Sequence, residues 1–224
     1  MSAADAFLAL YFDAPLQSWG CGSRFDRRTT LSHPTRSGVL GMLCAALGID
    51  RNDTAGLARL APLRIAVVTL RRRGRMEDYH TVGGGYDAKR DRLCICRTAA
   101  GKVGTTVQTW REYLEDDRHG AVAGATRPLI EEIAAALANP RWGVWLGRKA
   151  CIPASPVLQG VFDAEEQALA KLRRIAGTPD TGRITVIRDA ASFAEGDDTL
   201  MDVPLDFSHD ARRFAPRRVS NRSG

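Results

Sequence analysis

What this sequence has little of removes several kinds of protein from consideration. Its five cysteines, Cys21, Cys44, Cys94, Cys96 and Cys151, are odd in number and scattered, unlike the paired framework of a small secreted domain. Cys94 and Cys96 stand two residues apart without a second pair, which is poor spacing for zinc. There are only four histidines, His33, His80, His119 and His209, and no Asp, Glu or His cluster has ligand spacing. Metal-dependent catalysis therefore has almost no support, and no cofactor is expected. No serine or cysteine sits in a recognisable nucleophile arrangement. Internal repeats and low-complexity tracts are absent. No basic segment leading into a long apolar stretch opens the sequence, so the expected location is cytoplasmic, with no membrane partner. The uncharged run Gly38–Ile49 has twelve residues, short of the roughly 20 that a bilayer-spanning helix needs.

What is present is an ordinary hydrophobic fraction, 44% of 224 residues, enough for one large domain or two small ones. Thirty-two Lys and Arg against 26 Asp and Glu leave a net charge of +6. Nucleic acid and an acidic protein surface both suit such an excess, and charge alone does not choose between them.

Phe7–Phe12, FLALYF, is short, apolar and aromatic, as a buried strand is. Gln17, Trp19 and Gly20 then turn the chain; Trp19 either stacks on a base or plugs the core. Arg24, Arg27 and Arg28 occupy the following loop, and Arg36 opens a helix. An arginine fork suits phosphate, while a solvated loop has the same composition. Thr35 or Ser37 can cap the helix, and Gly48 suits its end. Gly38, Gly41, Ala45 and Gly48 recur at spacings of three and four, leaving one side nearly bare, while Val39, Leu43 and Leu47 mark a bulkier one. The helix start favours an anion; a plain core helix is the alternative.

Leu63–Leu70 reads as a second strand running into Arg71–Arg75, RRRGR, either a phosphate-contacting edge or a guard against edge pairing. Tyr79, His80 and Thr81 precede three glycines that lack the Lys–Ser/Thr of a phosphate loop, and a glycine- and charge-rich excursion follows. Gln108, Trp110, Arg111 and Tyr113 bring the chain back. They offer the stacking faces, donors and charge that single-stranded RNA needs, although a half-buried strand or helix end has the same composition.

Thr126–Asn139 predicts a helix capped by Thr126 and stopped by Pro140, and Trp142–Leu146 a short strand. The order is that of a β-α-β-β-α-β unit, provided the excursion supplies a strand. The expected class is α+β: a ferredoxin-like or RRM-type core over residues 1–150, then a smaller β-rich part over 151–224. Such cores often bind single-stranded RNA, but the RNP aromatic pattern is absent, so binding on the sheet face is not indicated. Past Pro153 and Pro156, Asp163 and Glu166 form a capping-box pattern before a helix that Gly177 ends. Arg183–Arg188 alternates as a strand. Glu195–Asp206 reads as a solvated acidic loop. Arg212, Arg213, Arg217, Arg218 and Arg222 read as a basic tail, solvated or on RNA.

Four stretches in order carry a resemblance: APLQSWG with PTRSGVLGMLCAALGI near the start, DYHTVGG at Asp78–Gly84, QTWREYL at Gln108–Leu114 and LGRKACIP at Leu146–Pro153. Together they resemble the CasD family, the Cas-five-type subunits of the type I-E CRISPR Cascade surveillance complex, as far as about Phe162. The resemblance implies a non-catalytic scaffold that caps the complex and holds the 5′ handle of the CRISPR RNA. It implies a thumb at about residues 81–108, the backbone subunit CasC and the large subunit CasA as neighbours, and target DNA met mainly through the assembled complex. The matching motif positions are Gln17, Trp19, Arg24, Arg36, Ser37, Gly38, His80, Thr81, Gln108, Trp110, Arg111, Arg148 and Lys149. Side-chain chemistry gives the basic ones to phosphates, and Trp110, His80 and Gln108 to base edges or stacking. The thumb matches little between its flanking motifs, which leaves its contacts, the acidic loop and the basic tail unassigned. The competing reading is a metal-independent endoribonuclease processing precursor CRISPR RNA, since His80, Tyr79 and Lys89 are close in sequence and such chemistry needs a base and an acid. A protein-interaction module is a third.

Overall fold

The computed structural model describes residues 5–20, 22, 26–82, 106–177 and 184–223, with side chains to residue 221. Arg24, Lys89, Cys94, Cys96 and the thumb over residues 83–105 lie outside them. The elements are β1 (Asp5–Asp13), β2 (Leu16–Gln17), β3 (Arg27–Arg28), α1 (Arg36–Leu47), α2 (Thr54–Ala58), β4 (Arg64–Arg71), β5 (Gly74–Val82), β6 (Val107–Glu115), β7 (Arg118–Thr126), α3 (Arg127–Ala138), β8 (Leu158–Phe162), α4 (Glu165–Ala176), β9 (Thr185–Asp189), β10 (Asp198–Asp206) and β11 (Arg213–Ser223).

Seven strands make one antiparallel sheet in the order β10-β11-β9-β4-β7-β1-β8. It takes strands from both sides of residue 150. The FLALYF run is apolar throughout because β1 lies inside this sheet with both faces covered. Leu8, Leu10 and Phe12 pack with Leu43 of α1 and Ile130 and Ile133 of α3. Ala9 and Tyr11 pack on Ala168 and Leu172 of α4. Each fully buried leucine of this kind contributes ~1.5–3 kcal/mol. A smaller sheet sets β2 and β3 on β6, and β5 and β6 form a nine-pair ribbon from Gly74↔Glu115 to Val82↔Val107.

Several expectations are corrected. Trp142–Leu146 is not a strand. The N–H groups of Arg141 and Trp142 donate to the α1 carbonyls of Ala46 and Ala45, and Leu146 bonds Cys151 and Ser18, so no ladder forms. The strand beside β1 is instead β8. Thr126 precedes α3 without a side-chain capping bond. The Asp163–Glu166 capping box does not form: Ala164 is the N-cap of α4 and Asp163 pairs with Arg127. Residues 198–206 of the acidic stretch are β10, not a solvated loop, with Asp202 only 1% exposed and Asp206 also buried. The basic tail is largely β11, with Arg217 held on Asp189 and Asp202 and Arg218 over the Phe193 ring. The alternation of β10 turns Asp202 and Asp206 inward, where Asp202 meets Arg217 and Asp206 accepts from the Ser208 N–H, while Asp198 stays exposed.

Candidate nucleic-acid interface

The start of α1 is closed by the protein's own groups. Thr35 Oγ1 accepts from the Gly38 N–H (3.1 Å) and Asp202 Oδ2 from the Arg36 N–H (2.6 Å). A carboxylate from β10 thus takes the place at the helix N-terminus that invites an anion. The Arg36 side chain turns inward, donating to the carbonyls of Leu63 (2.8 Å) and Ala61 (3.4 Å) and facing Asp189. Arg217 completes the cluster on Asp202 (2.7 and 3.0 Å) and Asp189 (2.7 Å). Burial lowers the Arg36 guanidinium from its ordinary value, with Asp189 and Asp202 opposing. Burial acts likewise on Arg217, but its bonds to Asp202 and Asp189 outweigh it and raise the pKa. Arg36 is therefore an internal tie, and assigning it to phosphate is corrected.

Gln17 and Trp19 are also internal. The Trp19 ring lies on Gly38, where a Cβ would stand 2.9 Å from it, and tilts against Phe12 with centroids 5.3 Å apart. Its indole N–H donates to Gln17 Oε1 (3.1 Å), and Gln17 Nε2 donates to the carbonyls of Phe12 (3.0 Å) and Asp117 (2.7 Å). Both residues are fully buried. Trp19 is the core plug, not the base-stacking ring, and Gln17 has no polar face left for RNA.

Beyond that plug a groove of about 900 Å³ runs along α1, within the ~300–1,000 Å³ of ordinary ligand clefts. Ser37, Gly38, Gly41 and Ala45 line it from the helix. Trp142 and Trp145 line it while remaining 44% and 36% exposed, Trp142 held there by its backbone bond to the end of α1. Arg28, Arg51, Arg148, Lys149 and Arg212 bring positive charge, against Asp50 as the one acid among the described lining residues. Gly147 has φ +98°, and a Cβ there would fall 1.7 Å from the Ser18 carbonyl, so only glycine lets the 146–149 segment approach. Arg148 donates to the carbonyls of Glu112 (2.6 Å) and Arg28 (2.7 Å) and lies over the Tyr113 ring. It thereby fastens the groove to β3 and β6.

The β5–β6 ribbon gathers the other positions. Tyr79, 54% exposed, pairs with Trp110 across the strands, ring centroids 5.3 Å apart, and Arg27 covers Trp110 at 5.3 Å. His80 and Thr81 pair with Thr109 and Gln108. Arg111 donates to Thr109 Oγ1 (2.9 Å), and His80 Nδ1 is 3.7 Å from Asp78. Trp19, Ser37, Gly38, Arg148 and Lys149 thus border the groove, while His80, Thr81, Gln108, Trp110 and Arg111 lie on the ribbon. Sequence reasoning missed Trp142, Trp145, Arg51, Phe207 and Phe214 as groove residues. Two tryptophans in the polar context of a segment without strand alternation were the available signal.

Of the other histidines, His119 is fully buried and His33 half-buried, and burial pushes both pKa values down, that of His33 to about 4. Among the described residues no three His, Cys, Asp or Glu stand together as a metal site, and no helix is long and apolar enough to cross a membrane.

The fold is a β-rich α+β architecture of antiparallel sheets with few helices, shared with solved CRISPR proteins. A chain titled as a CRISPR RNA-guided surveillance complex matches with a TM-score of 0.79 at 32% identity, over 97% of this chain and 89% of that one. Another, titled as the crystal structure of a Cas protein, matches with 0.66 at 29%, over 97% and 94%. The family described as CRISPR-associated protein (Cas_Cas5) matches residues 7–220, and the chain belongs to it. Over 222 residues it is 30% identical to the CRISPR system Cascade subunit CasD of Escherichia coli (strain K12), covering 91% of this chain and 92% of that relative.

Proposed function

We propose that this chain is a non-catalytic scaffold subunit of a Cascade-type complex in the cytoplasm, holding the 5′ handle of the CRISPR RNA beside the CasC and CasA subunits. The observation that carries the reading is the α1 groove, with exposed tryptophans and, among the described lining residues, five cations against one acid. Stacking faces and a cationic track are what single-stranded nucleic acid requires. Phosphates go to Lys149, Arg148 and Arg111, with Arg24 added on the resemblance alone. Bases go to Trp110, His80 and Gln108, and Ser37 and Thr81 supply hydroxyl donors. Gln17, Trp19, Arg36 and Gly38 shape the groove from behind.

A ferredoxin-like core supports this assignment. The chain order β1, α1, β4, β7, α3, β8 with the sheet order β4-β7-β1-β8 fits a β-α-β-β-α-β unit, into which the β5–β6 ribbon and the thumb are inserted. With β8 as its last strand, this unit ends at Phe162, so a division of folding units falls there rather than near residue 150. Target DNA is met through the assembled complex.

The test incubates the purified chain with labelled repeat RNA and mature guide RNA in EDTA, followed by a gel for shift and cleavage. Selective binding of the handle without cutting is expected. Specific cutting that is lost in His80→Ala would overturn the scaffold reading in favour of a metal-independent endoribonuclease.

A further inference from the structure

The stretch from residue 198 onward lies past the family motifs, yet it folds back onto the groove. Asp202 of β10 bonds the first N–H of α1 and holds Arg217 of β11. The turn between these strands is therefore fixed beside the helix rather than left as a loose tail. Phe207 and Arg212 line the groove from this turn, and Phe214 lines it from the start of β11. The Phe207 ring ends 3.8 Å from where a Cβ on Gly41 would stand. Phe207 and Phe214 meet edge to face, centroids 6.4 Å apart at 69°, so the pair occupies one face of one ring and leaves the remaining faces to other partners. Both are half-buried, and Arg212 is exposed with no ion pair among the described residues.

We propose that this turn is part of the RNA site: Phe207 and Phe214 stack one unpaired base over the bare face of α1 at Gly41, and Arg212 takes the adjoining phosphate. The proposal rests on reading the groove as an RNA site. A nucleotide is favoured over a peptide by the chemistry of the lining. An apolar peptide has no use for Arg28, Arg51, Lys149 and Arg212, whereas a nucleotide presents a flat ring and an anion at fixed spacing. A base stacked on the face of one ring, against the edge of the other and over a glycine surface gains stacking that does not depend on its identity. The turn therefore adds grip rather than sequence preference.

The test uses the full chain, a labelled guide RNA carrying 4-thiouridine in its 5′ handle, and a uridine 12-mer. Crosslinks are mapped by mass spectrometry, and affinity is measured for Arg212→Ala, Arg212→Glu, Arg212→Lys and Phe214→Ala. Expected are crosslinks within residues 207–214 and roughly 10-fold weaker binding of both RNAs by Phe214→Ala. Arg212→Ala flattens the salt dependence by about one phosphate contact, Arg212→Glu binds more weakly still, and Arg212→Lys stays near the parent. Because Arg212 is exposed, its variants should keep the parent melting temperature, which separates lost contact from lost fold. If the parent binds RNA but crosslinks lie elsewhere and the Arg212 variants bind equally, the turn is not in the site and the groove reading survives. If the parent binds neither RNA, the groove reading falls and the turn with it.

Discussion

Two glycines one turn apart on α1 should respond in opposite directions to the same substitution. Replacing glycine by alanine inside a helix gains ~0.8–1.0 kcal/mol from propensity alone. At Gly41 nothing opposes that gain, because the new methyl would meet only Phe207 Cζ at 3.8 Å, an ordinary contact. Gly41→Ala should then raise the melting temperature by about 2–4 °C for a chain of this size. At Gly38 the methyl would lie 2.9 and 3.1 Å from Trp19 ring carbons and 3.0 Å from Thr35 Oγ1. That ring does not slide away easily, being fully buried with its N–H bonded to Gln17. Overpacking of this kind costs about 1–3 kcal/mol. Gly38 also lies in the first turn, where propensity counts least, so Gly38→Ala should lose stability. Urea denaturation followed by far-ultraviolet circular dichroism reads both. A neutral or stabilised Gly38→Ala would refute the assignment of Trp19 as a fixed plug. A destabilised Gly41→Ala would refute the open groove floor. Gly41→Leu extends the argument to function: it fills the groove from a helix position that tolerates leucine, so RNA binding should weaken while the fold persists.

Removing one partner of a buried ion cluster leaves the others uncompensated at about 3–5 kcal/mol, so Arg36→Ala should lower the melting temperature by roughly 6–20 °C, whereas Arg111→Ala should leave it unchanged and weaken RNA binding. His33 makes stability depend on pH. Burial, then His119, pushes its pKa from 6.5 to about 4, so between those values the unfolded chain binds a proton that the folded chain refuses. Stability should fall as pH drops from 6.5 towards 4, by at most about 3 kcal/mol from this group, with His119 acting in the same direction. Urea midpoints across that window should flatten in His33→Gln. Trp110→Ala should weaken single-stranded RNA binding by ~1–3 kcal/mol if a base stacks there, read by fluorescence anisotropy with circular dichroism as the control for folding.

The front of the fold was legible because its signals are local. Thr35 does cap α1, and Gly48 closes it with φ 74°. FLALYF and LRIAVVTL are strands because both carry apolar side chains towards two covered faces. The readings that failed depended on partners far along the chain. Asp202 looks like one member of an acidic run until Arg217, fifteen residues on, and the Arg36 N–H, 166 residues away, are seen to share it. Trp142–Leu146 has the composition of a strand, but the end of α1 supplies carbonyl acceptors before any strand can. Of the four collinear motifs, the first and last marked the groove and the middle two the ribbon. They did not distinguish a residue that forms its surface from one that supports it, because burial decides that, and sequence spacing does not report burial.

The helix after the arginine loop shows how this matters for function. An open helix N-terminus attracts an anion, and Arg36 beside it strengthened that reading. Asp202 occupies the place, Thr35 takes a further N–H, and Arg36 turns towards Asp189 and the Leu63 carbonyl. A phosphate could enter only by displacing a buried carboxylate that Arg217 also holds. What is left for a ligand is the side of α1, and its bare stripe is divided. At Gly38 the space is filled by Trp19; at Gly41 and Ala45 it opens into the groove. One pattern of small residues thus does two jobs, close packing of the core in its first turn and a ligand-sized floor in the next two. On the proposed reading, the cations available to a ligand of the groove are those around the floor, Arg28, Arg51, Lys149 and Arg212, rather than the arginine at the helix start.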